Sequence, residues 1–213
     1  MKIWQYTALD LNGIGGVETQ IRSLASELTK LGHEVHIGLK CPFSPDILHT
    51  HGDFFKFAWD KREHPRAKWV HVFHGTSFGR LMACKEFVSL SGWKGTLREL
   101  GLAATSDAAI AVSENAAREV QNYFAYRKPL KIIANGVDSQ QFVPITQINT
   151  KPHLIFLGRS TERVKNFNRM VGACEGIKNS QLELWVAPGT DIEKPFIKNL
   201  GALNAQGLSE KLK

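Results

Sequence analysis

Short strands rich in β-branched and aromatic residues alternate along this chain with helices that carry one apolar face, and after residue 152 the alternation starts again. The stretch KIWQYTAL reads as a strand. It is followed by VETQIRSLASELTKLG, where Val17, Ile21, Leu24, Ala25, Leu28 and Leu31 share one helical face and Gly32 supplies the stop. Strands follow at HEVHIGL, DILHTH and KWVHVFHG, a helix at TLRELGLAATS, a strand at DAAIAVS, a helix at ENAAREVQNYF and a strand and turn at LKIIANGVD. Such alternation predicts an α/β fold with a parallel sheet covered on both faces. One link is awkward: Lys40–Asp46 is too short for a helical crossover, and the six residues between the strands reach at most ~20 Å, about one strand length, so a bare extended return is only just possible.

The segment SQQFVPITQINTKP has little periodicity and two prolines, and reads as a linker. Beyond it come HLIFLG, NFNRMVGACEGI, QLELWVAPG, PFIKNLGAL as a further candidate strand, and LSEKLK as the first turns of a helix. The expected organisation is a Rossmann-like lobe over 1–140, an interlobe linker over 141–152 and a partial second Rossmann-like lobe over 153–213. Two or three strands and an unfinished helix bury little surface on their own.

The formal charge is +7, and it is uneven: residues 54–100 hold nine Lys or Arg against four Asp or Glu, together with Trp59, Trp69 and Trp93. Basic residues interleaved with tryptophan suit an anionic membrane surface or an anionic substrate; they equally suit solvated helix faces over core tryptophans. No nucleic-acid-binding motif accompanies them. No apolar run has the length of a membrane span, and the N-terminus lacks the pattern of a signal peptide. Cys41, Cys84 and Cys174 show no paired or metal-type spacing, so the expectation is reduced thiols in a cytoplasmic protein, with a peripheral place on the inner face of the membrane as the variant.

LNGIGGVETQ, between the first strand and the first helix, is placed like a phosphate loop but spelled differently. Glu18 stands where a dinucleotide fingerprint needs its third glycine, and no Gly-Lys-Ser/Thr follows. Gly15 and Gly16 let the backbone approach a ligand, and the helix they start offers unpaired N–H groups and a positive dipole end. A tight strand-to-helix turn without a ligand is the plain alternative.

The order of GGVETQIRSLASELTKLGHEV, DILHTHG, HVFHG, AAIAVSENAAREV, IIANGVDSQQF and FLGRSTERVKN resembles the family-4 retaining glycosyltransferases of GT-B fold. The resemblance implies a two-lobed enzyme that moves a sugar from a nucleotide diphosphate sugar to an acceptor, with the donor in the interlobe cleft. It implies that Arg159 and Lys165, six residues apart after FLG, bind the donor diphosphate and stabilise charge developing on the leaving group. It places His74 against the transferred sugar, where the ring can donate a hydrogen bond to a hydroxyl. Gly15 and Gly16 would meet the donor diphosphate or a phosphate on the acceptor. Ser113, ending IAVS, contributes at the cleft or N-caps the next helix. Asn135–Asp138 set the entry to the linker. No cofactor is expected beyond the nucleotide sugar co-substrate, and no Asp-x-Asp pair suggests a metal. The expected acceptor is a cell-surface polysaccharide or a lipid-linked molecule, and the sequence does not name it.

The family's donor site also uses two glutamates eight positions apart in the second lobe. Glu175 and Glu183 have that spacing but lie only ten residues beyond Lys165, between a helix end and a strand, so they are a chance match; the true pair is expected beyond Lys213. Whether residues 1–213 form an active enzyme is accordingly open. Two rival readings follow. A non-catalytic lobe would bind an anionic ligand or a partner subunit that completes the second lobe, leaving apolar surface near 182–213. A zinc hydrolase would use His49, His51 and Asp53 of HTHGD, with His71 and His74 as further ligands, although Phe54 replaces that motif's next histidine.

Overall fold

The computed structural model describes residues 1–11, 15–51, 61–140, 142, 153–177 and 182–212. The chain divides into two compact units, Met1–Gly136 and Val137–Lys213. The division falls inside the NGVD turn, where Asp138 accepts hydrogen bonds from the backbone N–H groups of Gln140 and Phe142. Apart from Phe142, the expected linker from 141 to 152 lies outside the described residues.

The first unit is a six-stranded, all-parallel sheet in the order β2-β1-β3-β4-β5-β6, built from β1 (Lys2–Tyr6), β2 (Glu34–Ile37), β3 (Ile47–Thr50), β4 (Lys68–Phe73), β5 (Ala108–Ala111) and β6 (Leu130–Ile132). Helix α1 (Gly16–Lys30) joins β1 to β2; α2 (Ser77–Cys84) and α3 (Leu90–Thr105) join β4 to β5; and α4 (Glu114–Tyr123) joins β5 to β6. Ile3, Trp4, Gln5 and Tyr6 are buried without alternation, because β1 lies inside the sheet and is covered on both faces there. Trp4, Tyr6, Leu48, Ala67, Trp69 and Leu102 form one core cluster; Phe73, Ala103, Ala109, Val120 and Tyr126 form another.

The awkward link is resolved by topology. β2 and β3 do not pair; they flank β1, and because β2 ends at Ile37 the return runs from Gly38 to Asp46. The bare crossover therefore has nine residues, comfortably more than a four-residue strand and two strand spacings require. Helix α3 also begins earlier than its leucine pattern indicates. Ser89 caps it by accepting from Gly92 N at 3.2 Å, and α2 packs where α3 carries Gly92 and Gly95. A Cβ at Gly92 would collide with Leu81, and one at Gly95 with Ser77.

The second unit is a three-stranded parallel sheet, β7 (His153–Leu157), β8 (Glu183–Ala187) and β9 (Ile197–Asn199), in that order. Helix α5 (Phe167–Gly176) joins β7 to β8, and α6 (Ala205–Lys211) follows β9. Its core is Phe156, Phe167, Val171, Cys174, Leu184 and Val186. Trp185 stacks on His153 with ring centroids 4.4 Å apart, beneath the ammonium groups of Lys198 and Lys211. Among the described residues no helix is long and apolar enough to cross a membrane.

Candidate active-site edge and phosphate-facing loop

In an open parallel sheet, ligands gather at the carboxyl ends of the strands, at the point where strand order reverses. Here that point lies between β1 and β3, since the chain moves outward from β1 to β2 and then returns to the other side. Two sequence features flank it: the loop from β1 to α1 and the HTH segment at the end of β3. Gly15 N-caps α1 in an extended conformation with no side-chain cap, and beyond its chain neighbours and the backbone of its own helix nothing lies within 4 Å of a Cβ built on Gly16. The helix start is nevertheless not bare. The carboxylate of Glu18 folds back against Gly15, so closely that a Cβ on Gly15 would overlap it. The positive end of α1 thus faces a carboxylate from its own first turn.

Four histidines collect where β3 and β4 end. His49 and His51 approach edge-on with centroids 4.7 Å apart, and His51 stacks on His74 at 5.6 Å. His51 Nδ1 and His74 Nε2 are 3.2 Å apart, a hydrogen bond between rings. His71 is engaged elsewhere: Trp69 Nε1 donates to Thr50 Oγ1 at 2.8 Å, and the Thr50 hydroxyl is left to donate to His71 Nδ1, also at 2.8 Å. Burial, with a smaller contribution from neighbouring rings, pushes His49 down to about 4, His71 to about 3 and His51 to about 2; burial also lowers His74. All four rings are neutral at pH 7. The Nε2 atoms of His49 and His51 are buried without a protein partner.

This arrangement gives the zinc reading no support. His71 spends its Nδ1 on Thr50, and His51 and His74 are bonded to each other. Among the described residues no three His, Cys, Asp or Glu are grouped to hold a metal ion, and Asp53 lies outside them.

Two carboxylates hold the loop that follows His74. Glu119 Oε2 accepts from Thr76 N at 3.1 Å and from Thr76 Oγ1 at 2.8 Å. Glu99 accepts from Ser77 N at 2.7 Å and Ser77 Oγ at 2.8 Å, while burial raises its pKa. Gly75 sits at φ +135°, where an L side chain is strained, so the backbone turns sharply just after His74. Sequence reasoning missed Glu99, Glu119, Thr76 and Ser77, and it missed α2 altogether. The available signal was HGTS at a strand end, whose Thr76 N-caps α2 by accepting from Gly79 N at 2.9 Å. Ser113 is likewise an N-cap: its hydroxyl accepts from Ala116 N at 3.1 Å at the start of α4.

In the second unit, β7 ends at Leu157 and Gly158 turns the chain at φ +146°. The methylene stem of Lys165 crosses Gly158, its Cε 3.4 Å from where a Cβ would stand. Arg159 is 75% exposed and pairs with Glu162 Oε1 at 3.0 Å. The two predicted cations therefore bracket one glycine turn at the carboxyl end of β7. A cavity of about 390 Å³ lies alongside, lined by Ser160, Glu162, Arg163, Asn166, Thr190 and Asp191 among others, but by neither Arg159 nor Lys165. Its wall carries the acids Glu162 and Asp191 beside the cation Arg163. Glu175 and Glu183 have structural partners: Glu175 pairs with Lys194 at 2.9 Å, and Glu183 accepts from Trp185 Nε1 at 2.7 Å. A partner-completed second unit called for exposed apolar surface over 182–213; among the described residues of that stretch Leu212 is the only large hydrophobic that is exposed.

Comparison with known proteins bears on the fold. Residues 38–141 match the model of Glycosyltransferase Family 4. Among solved structures, sucrose-phosphate synthase from Thermosynechococcus elongatus is similar with a TM-score of 0.75 at 15% identity, over 98% of this chain and 72% of that one. A Listeria monocytogenes protein described as a candidate UDP-N-acetylglucosamine 2-epimerase is similar with a TM-score of 0.60 at 12% identity, over 98% of this chain and 70% of that one. No curated protein sequence matches the chain. Residues 38–141 thus carry the match to Glycosyltransferase Family 4, and the fold is that of the GT-B glycosyltransferases.

Proposed function

We propose that this glycosyltransferase uses a nucleotide diphosphate sugar as donor and retains the configuration of the transferred sugar. The bond from the anomeric carbon to the diphosphate breaks, a bond to an acceptor hydroxyl forms on the same face, and the acceptor proton is lost. Arg159 and Lys165 bind the diphosphate and offset the charge that grows on it as it leaves. His74, held by His51 and by the turn at Gly75, donates to a sugar hydroxyl. Thr76, Ser77, Glu119 and Glu99 are positioning residues for that turn.

The observation that carries the reading is the pair of cations at the Gly158 turn, just past the carboxyl end of β7, where Lys165, the last residue of the 3-10 turn Arg163–Lys165, lays its stem across Gly158. Each charge-assisted contact to a phosphate contributes ~1.5–3 kcal/mol. Nothing among the described residues supplies the glutamate pair that the resemblance implies, since Glu175 and Glu183 are engaged elsewhere. Residues 1–213 as a polypeptide are therefore expected to bind nucleoside diphosphates weakly and to transfer no sugar, because a donor held loosely reacts slowly. Titration with UDP, GDP and ADP tests this. Weak binding should be lost in Arg159→Ala and Lys165→Ala and kept in Lys194→Ala. Binding unaffected by the first two variants would refute the assignment.

A further inference from the structure

Helix α3 wears its apolar face on the outside. Its buried positions are Gly92, Thr96, Leu102 and Ala103, whereas Leu90, Trp93, Leu97, Leu100 and Ala104 are exposed. At the helical repeat these five fall within about 80° of one another, on the side opposite Gly92 and Gly95. The stripe continues into the α2–α3 turn, where Phe87 is exposed and Val88 is 99% exposed; Leu90 and Leu97 are 70% and 60% exposed. Gly92 and Gly95, which let α3 press against Leu81 and Ser77, fix this orientation. The leucines face outward because glycines are needed inward.

The stripe has a basic border. From residue 77 to 105 the cations are Arg80, Lys85, Lys94 and Arg98 and the acids are Glu86 and Glu99. Glu99 is turned inward onto Ser77, while Arg80, Lys85 and Lys94 are exposed. Trp93 packs on Phe78 at 5.9 Å and spends its Nε1 proton on Phe87 O at 2.8 Å, so its ring can enter an apolar phase without an unsatisfied donor. Trp69, by contrast, is a core residue, and the two tryptophans of the basic stretch that are described divide between the two readings given above.

We propose that the α2–α3 hairpin docks on an anionic lipid bilayer. Phe87, Val88, Leu90, Trp93 and Leu97 enter the boundary between headgroups and acyl chains, while Arg80, Lys85 and Lys94 meet the anionic headgroups. An apolar ridge with a cationic rim is the pattern of a helix that lies in the membrane interface. A second copy of the chain fits less well, because a two-fold pairing would set the same cations against each other. The hairpin begins three residues after His74, so a docked bilayer brings lipid-linked acceptors toward that edge of the sheet. That consequence rests on the proposed sugar transfer. The docking itself does not, so the failure of one is distinguishable from the failure of the other.

The test is co-sedimentation of the whole chain with vesicles of phosphatidylglycerol and phosphatidylcholine, and with vesicles of phosphatidylcholine alone. Binding should favour the anionic vesicles at least tenfold and weaken steeply between about 0.05 and 0.5 M salt, as screening lengths contract. Val88→Asp with Leu97→Asp, both at exposed positions, should weaken binding at least tenfold, and so should Lys85→Glu with Lys94→Glu. Unchanged circular dichroism would show that these variants are folded. Trp93 fluorescence should shift to the blue and be quenched by brominated acyl chains. No vesicle binding, binding unchanged in either double variant, or self-association abolished by Leu97→Asp without vesicle binding would each overturn the proposal.

Discussion

His51 Nδ1 and His74 Nε2 lie 3.2 Å apart at the carboxyl ends of β3 and β4, and one proton serves both rings. His51 Nε2 is buried without a partner. A buried N–H left unpaired costs more than a bare acceptor, so His51 keeps its proton on Nδ1 and donates it. His74 then accepts at Nε2 and carries its own proton on Nδ1, which becomes the donor it can offer to a hydroxyl. The nitrogen-15 shifts of labelled histidine should show His74 as the Nδ1–H tautomer at pH 7. In His51→Phe, His74 should revert to the Nε2–H form favoured by free imidazole side chains. An Nε2–H tautomer in the unaltered protein, or no change in the variant, would contradict this assignment.

The same cluster makes stability depend on pH. An unfolded histidine takes up its proton near pH 6.5, whereas His49, His71 and His51 resist protonation down to about 4, 3 and 2. Above pH 6.5 neither state is charged, and the three contribute nothing. As pH falls below 6.5 the unfolded state binds protons that the folded state refuses, so stability drops until the folded values are reached. At ~1.4 kcal/mol per unit and per ring, the loss by pH 5 is on the order of several kcal/mol. Urea denaturation at pH 7.5 and pH 5 should show it, and His71→Gln should flatten the dependence. A midpoint unchanged between the two pH values would argue against neutral burial.

Much of the sheet was legible because its strands are short and apolar and β1, β5 and β7 are each followed by a clear helical period. The sequence also suggests a restart after SQQFVPITQINTKP, where periodicity lapses; the two compact units divide slightly earlier, at Gly136, and the expected linker 141–152 lies, apart from Phe142, outside the described residues. It did not show α2, because SFGRLMAC buries only Leu81 and is defined by contacts with Glu119 and with the glycines of α3. The crossover at Gly38–Asp46 was misjudged for a related reason: pattern gives strand direction but not which strands pair. At the site, His74, Arg159 and Lys165 are singled out by spacing in a family order, and their roles are part of the proposal. Glu119 and Glu99 were not, because a helix surface glutamate looks the same in sequence whether it is solvated or folded onto a loop backbone.

Glu119 should therefore behave as a positioning residue. Its carboxylate takes two hydrogen bonds from Thr76 and one from Asn115 Nδ2 at 2.8 Å. Glu119→Ala leaves the part-buried Thr76 donors unmatched, at a cost of ~1–3 kcal/mol. Amide exchange should accelerate at Thr76 and Ser77 more than in β5, and Glu119→Gln should recover part of the loss. Uniform exchange changes across the first unit would mean that the contact is not local.

Glu18 decides how available the start of α1 is. Its carboxylate lies against Gly15 and competes with any external anion for the helix N-terminus. Glu18→Gln removes that charge and should strengthen pyrophosphate binding at the Gly15–Gly16 turn severalfold, read as amide shifts at Gly15, Gly16 and Val17. Equal affinity in the two proteins would mean that this turn is structural only.

The central claim, that the Gly158 turn holds a nucleotide diphosphate, is tested most directly by mapping UDP, GDP and ADP on backbone amide spectra of residues 1–213. Arg159 and Lys165 predict the largest shifts at Gly158, Arg159 and Lys165, saturating together and absent in Arg159→Ala. Shifts centred instead on Thr190, Asp191 and Ile192 would place the ligand in the neighbouring cavity, and none in either place would contradict the donor site itself.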